Sequence, residues 1–194
     1  MKSSRAWLEA EFYRFSARFG PRHRQMLQRL GVPDDIMLHL SGIGVSATET
    51  NGEFWQPAES GPLAMVIPAF HGIPPSFVNA TEDESEQPHD LIAFDPDRPG
   101  RWWWRVGTAD TLGCHLISSA HTWGTPVHVV TDPLAWLQHR GQVVCLLKPE
   151  AAWKLIGVVK VIADTLETAE RIDCLLRRPP AALPVICVAP RAAP

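Results

Sequence analysis

Arg101-Trp102-Trp103-Trp104-Arg105 places three indoles between two guanidiniums in five consecutive residues. In a strand, side chains alternate, so Trp102 and Trp104 share one face while Trp103 joins Arg101 and Arg105 on the other. An indole between two cations can stack on a base or another planar ligand while the arginines meet phosphate or carboxylate. Arg101, Trp103 and Arg105 are therefore the candidate binding residues. The competing assignment uses the tryptophans for burial, with Trp102 and Trp104 in the core and the arginines solvated or paired with acids.

Other chemistry-bearing groups are less well patterned. Cys114, His115 and His121 lie about two turns apart on an expected helix, with His128 and Asp132 shortly after. Their spacing matches no standard zinc motif, and no metal ligand is assigned. Ser118 and Ser119 lie near His115 and His121, but no GxSxG elbow exposes a nucleophile. Phosphate loops and dinucleotide fingerprints are absent from the sequence, so no cofactor is expected. Residues 21–30 and 33–40 imitate a helix-turn-helix around Gly31-Val32. The second helix opens Pro33-Asp34-Asp35 and carries no Lys or Arg, which disfavours its insertion into DNA.

Charge is segregated along the 194 residues. Residues 1–30 carry +5, residues 31–97 carry −12 with no Lys or Arg, and residues 98–194 carry +4. This pattern excludes a uniformly basic nucleic-acid coat and a polyanionic disordered chain. The 45% hydrophobic content suffices for a core. No apolar run reaches the length of a membrane span or a signal-peptide core. The four cysteines are scattered, so a cytoplasmic, reduced protein without membrane association is expected.

The elements expected to position these residues fall into three segments. Residues 1–41 form an N-terminal helical segment, with helices over 4–19, 21–30 and 33–40. Residues 42–107 read as a strand-rich antiparallel meander, with runs Gly52–Gln56, Leu63–Phe70, Asp90–Phe94 and Arg101–Val106. Within it, Thr81–Asp90 carries five acids and is expected to be an exposed loop. Residues 108–189 form an α/β region. A helix capped by Asp110 or Thr111 runs through His121, followed by strand Val127–Val130 and a helix from Pro133 to Arg140. Strand Gln142–Leu147, a long helix from Pro149 to Arg177 and strand Leu183–Val188 complete it, before a frayed tail over 189–194. The expected class is α/β or α+β, with a C-terminal βαβαβ unit on a small, mainly parallel sheet, in one continuous domain.

The run from Val127 to Leu137 (Val127-His128-Val129-Val130-Thr131-Asp132-Pro133-Leu134-Ala135-Trp136-Leu137) resembles the first strand and helix of toprim domains of primases and topoisomerases. The stretch from Asp90-Leu91-Ile92-Ala93-Phe94 to Arg101-Trp102-Trp103-Trp104-Arg105 resembles primase-associated proteins of alphaproteobacteria and their mobile elements. Together the resemblance spans roughly residues 31–190. It implies Mg²⁺ held by a glutamate after the first strand and an Asp-x-Asp after a later one. Thr131-Asp132 occupies the first position, Lys148 follows the next strand, and Leu183–Val188 ends in Ala189-Pro190-Arg191. Asp132 is the one carboxylate expected to remain, and it can equally cap the helix at Pro133.

The resemblance thus implies a binding or scaffold version without toprim catalysis. The expected function is a non-enzymatic accessory or interaction domain associated with nucleic acid in a mobile-element context, with single-stranded nucleic acid or a protein as partner. Two alternatives stand beside it. One is a metal-dependent hydrolase or nuclease using Asp132 and nearby histidines. The other is a structural homo-oligomer in which oppositely charged blocks of different copies meet.

Overall fold

A computed structural model describes residues 6–39, 42–72 and 87–177. The chain begins with three helices, α1 (Ala6–Ser16), α2 (Pro21–Arg29) and α3 (Asp34–His39). Leu8, Phe12 and Phe15 repeat at helical spacing along α1 and are almost fully buried. Each contributes about 1.5–3 kcal/mol by leaving water. Pro21 occupies the first turn of α2, where its missing N–H costs no hydrogen bond.

Five strands follow: β1 (Gly44–Asn51), β2 (Phe54–Pro57), β3 (Leu63–Ala69), β4 (Asp90–Asp95) and β5 (Arg98–Trp104). They close into a barrel in the order β1-β2-β5-β4-β3. The expected strand-rich meander is therefore more curled than its sequence suggested. Four of its pairings are antiparallel, and closure is made by a parallel contact of Phe54 with Trp104. One face of the wall (Trp55, Ala64, Val66, Leu91 and Ala93) packs against α1. Gly44 permits this closeness, since a Cβ there would meet Phe15 Cβ at 2.5 Å. The opposite face (Met65, Ile67, Ile92, Phe94 and Trp104) joins a cluster that includes Leu27 and Ile36 from the first helices.

The same cluster continues into a second sheet through Val130, Leu134, Trp136, Leu137 and Cys145. Its strands are β6 (Thr111–Leu112), β7 (Val127–Val130), β8 (Val144–Leu146) and β9 (Val161–Ala163), in the order β6-β8-β7-β9. β7 pairs in parallel with β8 and β9, while β6 is antiparallel to β8. Helices α4 (Cys114–Trp123), α5 (Pro133–Gln138) and α6 (Leu166–Arg177) flank it, with a 3₁₀ helix over Pro149–Leu155. The chain is thus an α+β protein with a small, mainly parallel C-terminal sheet, in line with the expected class. None of the described helices is long and apolar enough to cross a membrane.

Three sequence expectations are corrected. Thr111 does not cap a helix: it pairs with Leu146 in β6, and α4 begins after Gly113, whose φ of 73° requires glycine. The helix expected from Pro149 to Arg177 is broken at Gly157, φ 88°, into the 3₁₀ turn, β9 and α6. Asp90, placed at the end of an exposed loop, is fully buried at the start of β4. The strand expected at Leu183–Val188, the tail over 189–194 and the acidic residues 81–86 lie outside the described residues.

Candidate functional site

Strand β5 pairs with β4 through Trp102 with Phe94, Trp103 with Ala93 and Trp104 with Ile92. Alternation then separates the indoles as expected. Trp102 and Trp104 face the larger cluster and meet edge to face at 4.5 Å and 81°. Trp104 is 6% exposed and donates its indole N–H to the Ala109 carbonyl at 2.7 Å. Burial explains these two rings.

Trp103 faces the other way, half-buried beside the α1-facing cluster. The exposed Arg101 guanidinium sits over its ring, 5.6 Å from the centroid. Arg105, one residue beyond β5, covers a second indole that the sequence did not single out: Trp7 of α1, at 5.1 Å. Trp7 is 45% exposed. Arg105 is held in place by Glu11, its Nε donating to Oε2 at 2.9 Å and its Nη2 to Oε1 at 3.4 Å. Glu11 is 5% exposed, so the carboxylate of this bidentate pair is sheltered from water. Arg101, Trp103, Arg105 and Trp7 therefore form one ridge across β5 and α1, with cations and aromatic faces alternating. Sequence did carry one sign of Glu11: with Leu8, Phe12 and Phe15 it completes an apolar stripe at steps of three, one and three. A carboxylate on a buried stripe requires a cation nearby.

The ridge is fixed from below by Asp90. Its Oδ1 accepts the N–H groups of Leu91 and Val106, and its Oδ2 those of Gly107, Thr108 and Ala109, all within 3.0 Å. This carboxylate sets the turn that follows Arg105. Lys148 adds to the same turn, donating to the Gly107 carbonyl at 2.6 Å and lying 5.2 Å from the Trp104 ring centre.

The metal and catalytic candidates are dispersed. The Cys114 thiol donates to the His71 carbonyl at 2.6 Å, and His121 Nε2 meets the Lys154 carbonyl at 3.0 Å. His128 points away from the buried side of β7, opposite in alternation to Val127 and Val129. Ser118 and Ser119 lie on the exposed side of α4, while Ile117 and Ala120 face inward. Among the described residues, no three His, Cys, Asp or Glu side chains come together as metal ligands. The helix-turn-helix imitation is also resolved. Asp34 pairs with Arg24 at 3.2 Å, Asp35 with Arg140 at 3.3 Å, and Ile36 and Met37 of α3 are buried in the core.

At the carboxyl ends of the parallel strands, Asp132 accepts the Ala135 N–H at 2.8 Å and caps α5. With β9 in place of the expected helix, Asp164 becomes a second strand-end carboxylate that sequence reasoning missed. Both lie near Cys145, whose thiol is pushed well above its ordinary range by burial and then by Asp132 and Asp164. Among the described residues, the strand ends do not reproduce the carboxylate set that the toprim resemblance implies. The first carboxylate is engaged as a cap, Lys148 follows β8, and exposed Leu166 stands where the second aspartate of an Asp-x-Asp would fall.

No family model matches the chain, and no curated protein and no solved structure matches it either.

Proposed function

We propose that the chain is a non-enzymatic accessory domain that contacts nucleic acid through the Arg101–Trp103–Arg105–Trp7 ridge. The observation that carries this is the pair of guanidinium–indole stacks, 5.6 Å for Arg101 on Trp103 and 5.1 Å for Arg105 on Trp7. The exposed part of Trp7 and the exposed guanidinium plane of Arg101 can stack on any base, and guanidiniums stay charged at every biological pH and pair with phosphate. An accessory role is further supported by the employment of Asp132 as a helix cap and of Lys148 as a brace on the Gly107 turn. The toprim-like resemblance to primase-associated proteins of mobile elements points the same way.

Titration of the intrinsic tryptophan fluorescence with single-stranded oligonucleotides at low salt tests this function. Quenching is expected, with Arg101→Ala weakening binding by about fivefold to tenfold through loss of one phosphate contact and one cation–π pair. Arg101 is exposed, so the variant keeps the fold. An unquenched wild-type protein, or an Arg101→Ala variant that binds as tightly as wild type, refutes the ridge as the contact surface.

A further inference from the structure

The ridge does not end at Trp7. Seven residues further along α1, on the same side of the helix, stands Arg14, with its Nη2 3.8 Å from Glu11 Oε1. Arg14 and Arg18 are exposed and line a groove of about 240 Å³ between the C-terminal half of α1 and the end of β2. Phe15, Pro57, Ala58 and Glu59 complete it. Cations and aromatic faces thus run from Arg101 to Arg18, about 13 Å along β5 and about 10 Å from Trp7 to Arg14 along α1.

Resting on the function proposed above, we infer that the ligand is a single strand whose bases stack on the ridge and whose backbone continues into this groove. Arg14 and Arg18 take its phosphates there. Three features select one strand over a duplex. The ridge offers the exposed part of the Trp7 ring and the exposed Arg101 guanidinium, planar surfaces that only unstacked bases can stack on. The groove has a cationic wall and, opposite it, Glu59, so a second backbone would meet a like charge. The described helix that most resembles a major-groove reader, α3, has its carboxylates paired and its apolar side buried. An indole face and a guanidinium do not distinguish DNA from RNA, so the shared chemistry is a single-stranded polynucleotide.

The experiment compares wild type with the double variant Arg14→Gln/Arg18→Gln, using oligo(dT) of about twelve and about four nucleotides at about 50 and 200 mM salt. Each phosphate contact on a single strand adds about 0.7 to the log–log salt slope, so losing two makes the salt-induced loss of affinity about sevenfold smaller. That change is expected with the long oligonucleotide, while on the short one, which the ridge alone holds, the two proteins behave alike. Identical salt responses on the long oligonucleotide overturn the groove and leave the ridge standing. A duplex of equal length that binds as tightly as the single strand overturns the strand selection. An acidic peptide of matched charge that competes equally well overturns the nucleic-acid assignment. Wild-type protein that binds neither oligonucleotide overturns both the groove and the ridge.

Discussion

The barrel and the parallel sheet use aspartate in opposite ways. Asp90 opens β4 with no exposed surface and five backbone N–H groups on its two oxygens. Asp132, at the carboxyl end of β7, is half-buried and accepts one N–H from the helix it caps. Asp164, at the end of β9, is exposed. The carboxyl ends of parallel strands are where open α/β sheets commonly hold ligands. Among the described residues the most heavily bonded carboxylate lies instead beneath the barrel ridge. Convergent donors make Asp90 a lock on the turn that carries Arg105 toward α1, whereas Asp132 serves its own helix.

If Asp90 is that lock, its removal should have the largest effect of any exposed or buried acid in the described chain. Asp90→Ala leaves five backbone N–H groups without their carboxylate, and Asp90→Asn turns an amide donor toward at least two of them. Orphaned buried donors cost about 1–3 kcal/mol each when they cannot reach water, and part of that cost is relieved by relaxation. Urea denaturation should show a loss of about 3–5 kcal/mol for Asp90→Asn. A loss under about 1 kcal/mol would erase the contrast between the two regions.

Glu11 sharpens the comparison from the ridge side. Its carboxylate is sheltered, but Arg105 retains 22% of its side-chain exposure, so solvent screens part of the pair. Glu11→Gln is expected to cost about 1–2 kcal/mol in urea denaturation, less than Asp90 and more than a surface pair. The same substitution removes a negative charge that competes with phosphate for Arg105. Oligonucleotide affinity should therefore rise while stability falls. Parallel losses of stability and affinity would mean that Glu11 serves only to orient the ridge.

The legible and illegible parts of this molecule divide along physical lines. The two-faced character of Arg101–Arg105 could be read because alternation in a strand is a local rule, and the indoles mark it clearly. The coupling of Arg105 to Glu11 spans 94 residues and has no local trace beyond an acid on the stripe of α1. β1 escaped notice because its α1-facing positions are Gly44, Ser46 and Thr48, small residues that let α1 approach, and Val45 alone on its other face is large, apolar and buried, which gives no apolar alternation. β9 was hidden for a different reason. Val159, Ile162 and Leu166 continue the helical spacing of Leu155, and a three-residue strand is too short to impose a period of its own. Gly157 was the available sign of a break, and Asp164 went unrecognised as a strand-end residue along with β9.

The smallest expected effect belongs to Asp132. Asp132→Ala removes the acceptor for the Ala135 N–H, and an N-cap of this kind is worth about 1 kcal/mol. It also removes one of the two carboxylates that raise the Cys145 thiol. Burial, the larger cause, remains, so the thiol stays protonated and unreactive toward alkylating reagents in the folded protein. Among the described cysteines, exposed Cys174 should react first in both proteins. Oligonucleotide binding should be unchanged, because the cap touches α5 and not the ridge. A loss of binding in Asp132→Ala with stability within about 1 kcal/mol of wild type would move the contact surface to the strand ends, and the division of labour between the two sheets would have to be redrawn.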